Sequence, residues 1–172
     1  MSYCAPNSQP LIYSHMTSLQ DLRGCLPNKV LTNSILEVLE KNKDLSFFYD
    51  LVLRGKFSEN FNSVQSDFTV FVPSNTDILK RYGRNIFENY DIGDAREYLK
   101  AVVLNNKIVS ELLENGSYLY TIDKITRIRI FRDADRIQLN NGINIIYPDI
   151  LCVNGVIHIV DDIINGREFT VS

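Results

Sequence analysis

Asp149-Ile150-Leu151-Cys152-Val153-Asn154-Gly155-Val156-Ile157-His158-Ile159-Val160-Asp161 consists of two apolar runs joined at Asn154-Gly155. Asn-Gly accepts the positive φ that a two-residue hairpin turn requires, so the segment reads as the buried last hairpin of a domain. It also holds a thiol and an imidazole, which raises the alternative of a Cys152/His158 reactive pair. A cysteine nucleophile needs a nearby base, a lowered pKa and access. Cys152, between Leu151 and Val153, instead reads as a small buried apolar residue, and no third group is evident to orient the pair. His158 alternates with Val156 and Val160 and reads as a hydrogen-bonded structural histidine.

Upstream, the same period of two continues. Thr126 to Arg132 alternates, Asp133-Ala134-Asp135 turns it, Arg136 to Leu139 alternates again, and Asn140-Asn141-Gly142 supplies a further turn before Ile143 to Tyr147 and Pro148. The pattern predicts an antiparallel meander with Ile128, Ile130, Ile137, Leu139, Ile145, Ile157 and Ile159 facing a core. The arginines of Thr126 to Arg132 are expected on one strand face, either as a solvated surface or toward an acidic partner. Asn115-Gly116-Ser117 reads as a turn.

The N-terminal half is helical in period. Ser34 and Glu37 form a capping box ahead of a stripe to Lys41, and Leu45 to Arg54 follows with Gly55 as a stop. Phe68 to Val72 is a β-branched and aromatic strand ended by Pro73, after which Ser74 and Asp77 cap a helix that Gly83 closes. A helix from Asp94 through Val102 and a short one from Val109 to Leu113 are expected next. Helices followed by strands imply an α+β fold. Pro6, Pro10 and Pro27 break up residues 1–30, read as an N-terminal arm; residues 31–166 form one domain and 167–172 a tail.

Composition narrows the function. The chain has 172 residues, 45% of them hydrophobic, enough for one buried core. A net charge of -3 offers no general attraction for polyanions, so no nucleic-acid partner is expected, although Lys124, Arg127, Arg129 and Arg132 cluster locally. No apolar run is long enough for membrane insertion, and no secretory leader is visible, so a cytoplasmic, particle-associated or unconventionally released protein is expected. Cys4, Cys25 and Cys152 have neither disulfide-framework nor zinc-site spacing, and no cofactor is indicated. Asp161 and Asp162, adjacent on a strand, point to opposite faces and do not converge on a metal ion. High Ile and Asn with few Ala and no Trp suggests an AT-rich genome, such as that of a protist or a large DNA virus.

Two segments carry a family resemblance. Phe68-Thr69-Val70-Phe71-Val72-Pro73-Ser74-Asn75-Thr76-Asp77-Ile78-Leu79 resembles the first signature of the fasciclin domain family, and Val153-Asn154-Gly155-Val156-Ile157-His158-Ile159-Val160 with Asp161-Asp162-Ile163-Ile164 is similar to its second. The resemblance spans about residues 31 to 166. It implies a compact antiparallel β-wedge of about seven strands with N-terminal and central helices packed against it. It also implies a non-enzymatic adhesion or protein-binding role, toward a cell-surface or matrix-like protein or a glycan. An Asp-Ile pair before the second signature is proposed for integrin recognition in several extracellular members. Asp149 and Ile150, with Tyr147 and Pro148, occupy that position here. The competing reading is that the Asp149 carboxylate accepts backbone N–H groups in a turn. Asn75 to Leu79 contains a similar Asp-Ile pair by coincidence. The family's Tyr-His pair in the central segment is replaced by Ala101 and Val102. Alternatives to a binding module are an enzyme using Cys152/His158 and an intracellular or virion structural protein.

Overall fold

The computed structural model describes residues 31–140 and 142–164; the expected arm, the tail, residues 165 and 166, and Asn141 lie outside the described residues. Helix α1 (Ile35–Lys41) opens on the expected capping box, in which Ser34 Oγ accepts the Glu37 N–H at 3.1 Å and the Glu37 carboxylate accepts the Ser34 N–H at 2.9 Å. A 3-10 turn (Lys43–Leu45) leads into α2 (Ser46–Arg54), and a short helix α3 (Ser58–Asn62), which has no periodic signal of its own, follows. Strand β1 (Phe68–Pro73) runs into α4 (Asn75–Tyr82), capped by Ser74 and closed by Gly83 at φ +76°.

Helix α5 (Ile92–Lys100) begins earlier than the sequence pattern indicates. Its N-cap is Asp91, whose carboxylate accepts the Asp94 N–H at 2.8 Å, while Asp94 accepts the Asp91 N–H at 3.3 Å. Asp94 is thus the inner member of the capping box, and Val102 falls beyond the helix. The end of α2 approaches α5 closely. A Cβ on Gly55 would lie 2.8 Å from Leu99 Cδ1 and 3.3 Å from the Ala95 Cβ, so a larger residue there would have to displace the end of the Leu99 side chain. The helix expected over Val109 to Leu113 is a single 3-10 turn, Ser110–Leu112.

The remaining strands are β2 (Val103–Leu104), β3 (Tyr118–Tyr120), β4 (Arg127–Arg132), β5 (Ile137–Leu139), β6 (Ile143–Cys152) and β7 (Gly155–Val160). The expected α+β class and the seven strands are present, ordered β2-β1-β7-β6-β5-β4-β3. From β3 to β7 the sheet is an antiparallel meander. β1 then lies beside β7 in parallel, with Thr69 opposite Val156 and Phe71 opposite His158, so the sheet as a whole is mixed. The Ile122 N–H donates to the Val103 carbonyl at 2.9 Å, tying the chain after β3 to β2 and curling the sheet nearly into a barrel.

Burial follows this order. Every residue of β1 and of β7 is buried, which is why both read as continuous apolar runs, whereas β4 alternates between buried Ile128 and Ile130 and exposed Arg127 and Arg129. Leu139, Ile157 and Ile159 are buried as expected, and Ile137 and Ile145 are half-buried. Asn154-Gly155 does more than turn the chain. Gly155 sits at φ +153°, and a Cβ there would lie 2.0 Å from the Phe68 carbonyl oxygen. Asn154, fully buried, accepts the Ile35 N–H at 2.9 Å and donates to the carbonyls of Phe61 at 2.8 Å and Ser63 at 2.9 Å, so it joins α1 and α3 to the hairpin.

Candidate functional site

Two regions bear on function: the Tyr147 to Ile150 segment with its neighbours, and the outer face of β3 and β4. Pro148 does not end the strand it follows. β6 continues to Cys152 through register shifts between Ile145 and Tyr147 and between Tyr147 and Ile150. Bulges of this kind free individual backbone groups from the ladder, and they accommodate both Pro148 and a left-handed Asp149 at φ +64°.

The freed Asp149 N–H donates to His158 Nδ1 at 3.1 Å, leaving His158 Nε2 to donate to the Ile108 carbonyl at 2.8 Å. The Asp149 carboxylate accepts the Ser110 N–H at 2.7 Å and, through its other oxygen, the Ser110 hydroxyl. Thr69 Oγ1 donates to the Asn106 carbonyl at 2.6 Å and accepts the Ile108 N–H at 2.8 Å. Arg132 Nη1 donates to the carbonyls of Ser110 at 2.5 Å and Leu113 at 3.0 Å. The segment between β2 and β3 is therefore held down by side chains from β1, β4, β6 and β7. Within Tyr147 to Ile150, Ile150 is buried, Tyr147 and Asp149 are half-buried, and Pro148 is exposed. Ala101 and Val102 are both buried. Asn75 to Leu79 forms most of α4, with Asn75 Oδ1 accepting the Phe47 N–H at 3.0 Å.

Ser110, Asp149 and His158 touch in an order that does not move a proton from serine to histidine. The serine hydroxyl meets the carboxylate, and the accepting nitrogen of the imidazole is occupied by a backbone N–H. His158 is fully buried and stacks on Phe71 at 5.6 Å; burial pushes its pKa down, against the pull of the Ile108 carbonyl and Asp149. Cys152 is separated from it by the sheet. Cys152 lies opposite Gly155 and Ile150 opposite Ile157, which puts the thiol on the face of Ile157 and the imidazole on the other. Burial raises the thiol pKa to about 12, with Lys107 a minor opposing influence.

Asp161 and Asp162 lie just past the end of β7, not on the strand, and contrary to the expected opposite facing they share Arg81, which stands 3.8 Å from Asp162. Asp161 accepts from the Asn144 backbone N–H and side-chain amide, each at 2.9 Å, and pairs with Arg81 at 3.4 Å. Asp162 accepts the Tyr82 hydroxyl at 2.6 Å. Among the described residues no three His, Cys, Asp or Glu side chains converge on a point where a metal could sit, and no helix is long and apolar enough to cross a membrane.

The second region is exposed. Tyr118 lies opposite Arg129 and Tyr120 opposite Arg127 on the outer face of β3 and β4. The Arg127 and Arg129 guanidinium carbons stand 4.8 and 5.3 Å from the Tyr118 ring centroid, and Arg129 is also 5.1 Å from that of Phe131. Tyr118 and Tyr120 are 41% and 62% exposed, far more than an aromatic that serves a core. Asp123 fastens the connecting hairpin, accepting the Ile125 and Thr126 N–H groups at 2.9 and 2.8 Å. Arg132 does not share this face: it is of the opposite parity and is turned to Ser110 and Leu113. The sequence pattern located the arginines but not their aromatic partners. The alternation of Tyr118-Leu119-Tyr120 is the signal that could have revealed them. Asn115-Gly116-Ser117 is a turn, with Gly116 at φ +85° and Asn115 Oδ1 accepting the Arg132 N–H at 2.8 Å.

Known proteins resemble most of the chain. The Fasciclin domain family model matches residues 43–165. Human periostin is 29% identical over 143 residues, covering 80% of this chain, while the chain spans only 17% of the length of periostin. Among solved structures, the FAS1 domain pair of the insect cell adhesion molecule fasciclin I superposes with a TM-score of 0.67 at 22% identity, covering 81% of this chain and 53% of that one.

Proposed function

The chain belongs to the fasciclin domain family, and from that premise we propose that it is a non-enzymatic protein-binding module whose contact surface is the outer face of β3 and β4. The observation that carries this reading is the exposed ladder of Tyr118, Tyr120, Arg127 and Arg129, because aromatic and arginine side chains dominate the energetics of interfaces. Among the described residues neither arginine forms an ion pair, and the one side-chain hydrogen bond of Arg129, to the Tyr118 hydroxyl at 3.3 Å, lies within the ladder itself. Catalysis is disfavoured by the order of contacts around His158 and by the thiol on the opposite side of the sheet. Fasciclin I, which shares the fold, is an insect cell adhesion molecule. A cell-surface or matrix-like protein is the partner class that fits this chain by analogy.

For Tyr147 to Ile150 we favour a supporting role. The Asp149 carboxylate is engaged by Ser110 and the Ile150 side chain is buried, which leaves Pro148 and part of Tyr147 for contact. The test is attachment of cells or matrix proteins to surfaces coated with the parent, Arg127→Glu/Arg129→Glu and Asp149→Ala, with thermal midpoints measured alongside. The proposal expects the double charge reversal to abolish attachment at an unchanged midpoint. Full attachment by that variant would overturn it.

A further inference from the structure

We infer that the arginine ladder takes an acidic segment of another protein, one in which carboxylates flank apolar side chains, seated face-on over Tyr118, Tyr120, Arg127 and Arg129. The inference rests on the outer face of β3 and β4 being the contact surface and names the chemistry of its ligand. The folded chain draws two like charges to one ring: the Arg127 and Arg129 guanidinium carbons lie 4.8 and 5.3 Å from the Tyr118 centroid, and among the described residues no carboxylate pairs with either. Such an arrangement is repulsive until an anion joins it. Stacking on a ring engages the flat face of a guanidinium and leaves its edge, where the N–H groups lie, for a carboxylate. The Arg127 side chain donates no hydrogen bond to a described residue, and that of Arg129 donates one, to the Tyr118 hydroxyl at 3.3 Å.

Apolar surface accompanies the charge. Tyr120 stands exposed opposite Arg127, and Ile125, in the turn that joins β3 to β4, is 70% exposed. That turn is pinned, because Asp123 accepts the Ile125 and Thr126 N–H groups and the Thr121 and Thr126 hydroxyls, so little ordering is left for a partner to impose on it. A protein segment offers carboxylates and apolar side chains together, whereas a sulfated glycan meets the guanidinium groups and leaves Ile125 in water. A long polyanion fits less well for a second reason: its affinity comes from many neutralised charges, and this chain brings two arginines on a molecule of net charge -3. Arg127 and Arg129, two residues apart on β4, are spaced roughly 7 Å along the backbone, which carboxylates match at alternate positions of an extended segment or one turn apart on a helix. The ends of this chain fit poorly, since Asp21 and Glu168 are the sole acidic residues of 1–30 and 165–172 and each is close in sequence to an arginine, Arg23 and Arg167. A second copy offers the exposed Asp133 and Asp135, but Asp133 already pairs with Arg136 at 3.5 Å, and contact between two different faces does not close into a dimer.

The probe is a capped, fluorescent seven-residue peptide of Glu with Leu at its third and sixth positions. It is compared with the same peptide carrying Ser for Leu, with one carrying Lys for Glu, and with a heparin-derived hexasaccharide. Binding of the Glu/Leu peptide is expected to raise anisotropy and to shift the Nε–H resonances of Arg127 and Arg129. The Lys peptide is expected to bind about tenfold more weakly or worse, as is the Glu/Leu peptide to Arg127→Glu/Arg129→Glu. Arg127→Lys/Arg129→Lys, which keeps the charge and loses the fork and the ring stacking, is expected to weaken binding several-fold. Ile125→Ser is expected to weaken the Glu/Leu peptide toward the affinity of the Glu/Ser peptide and to leave the latter unchanged. Equal binding of the Lys peptide, no advantage of Leu over Ser, or tighter binding of the hexasaccharide would overturn the inference. So would concentration-dependent self-association of the parent in sedimentation that the charge reversal abolishes, since a second copy would then be the occupant. If the charge reversal abolishes attachment while the Glu/Leu peptide neither shifts the arginine resonances nor competes, the acidic segment fails and the contact surface stands. Attachment that survives the charge reversal removes the contact surface and the inference with it.

Discussion

Replacing Asp149 by alanine separates a supporting role from a recognition role. In the folded chain its carboxylate accepts the N–H and the hydroxyl of Ser110, at the start of the 3-10 turn that leads toward β3. Hydrogen bonds to a charged acceptor contribute about 1.5 to 3 kcal/mol each when buried, but here both residues are half-buried and water recovers part of the loss. Two such bonds at roughly half strength amount to about 2 kcal/mol. Asp149 also sits at φ +64°, where alanine is less well tolerated than aspartate, which adds about 0.5 kcal/mol. A loss of about 2.5 kcal/mol lowers the melting temperature of a domain of this size by roughly 8 °C. Asp149→Asn keeps one acceptor and the tolerance of positive φ, so about half that shift is expected. Calorimetric or circular-dichroism melts measure both variants, and attachment is recorded for the same samples. A melting temperature for Asp149→Ala within about 1 °C of the parent would refute the supporting role. An unchanged midpoint with lost attachment would restore Asp149 as a recognition residue.

Cys152 is expected to be inert toward a thiol reagent in the native state at neutral pH and to react promptly in denaturant, since burial raises its pKa to about 12; peptide mapping of rapid native labelling to Cys152 would contradict this. His158 predicts a pH dependence of stability. Burial holds its folded pKa below the unfolded value of about 6.5, so below that value the unfolded chain binds the extra proton. The stability His158 contributes is therefore complete above about pH 6.5 and is lost as pH falls toward the depressed folded value. Urea midpoints should be lower at about pH 5.5 than at pH 7.5, and His158→Gln should flatten that slope even if it lowers stability overall. An equal slope in parent and variant would show that another group is responsible.

Much of the local structure could be read from short windows. The capping box at Ser34 and Glu37, the cap at Ser74, the left-handed stop at Gly83 and the alternation of β4 all depend on groups within a few residues of one another. Where two such signals overlap, the reading slipped: Asp91 and Asp94 both suit an N-cap, and backbone geometry selects the first. The arginine parity failed for a related reason. Period two holds from Arg127 to Phe131, and Arg132 is one step out of phase.

By itself, then, the sequence determined the class and order of most elements, the hydrophobic face of β4 and the two signature segments, because propensity, capping and patterning are properties of neighbours along the chain. Only the tertiary structure decided that β1 lies parallel to β7, that Asn154 joins two helices to the hairpin, and that Asp149 is held by Ser110 and His158. Those contacts join residues far apart in sequence. A fully apolar strand such as β7 does not specify its neighbour by pattern, since both of its faces are buried whichever strand lies beside it. The β6 bulges that free the Asp149 N–H likewise exist only once the two strands are paired, when the eight residues Ile145 to Cys152 face the six of β7 and two are left over.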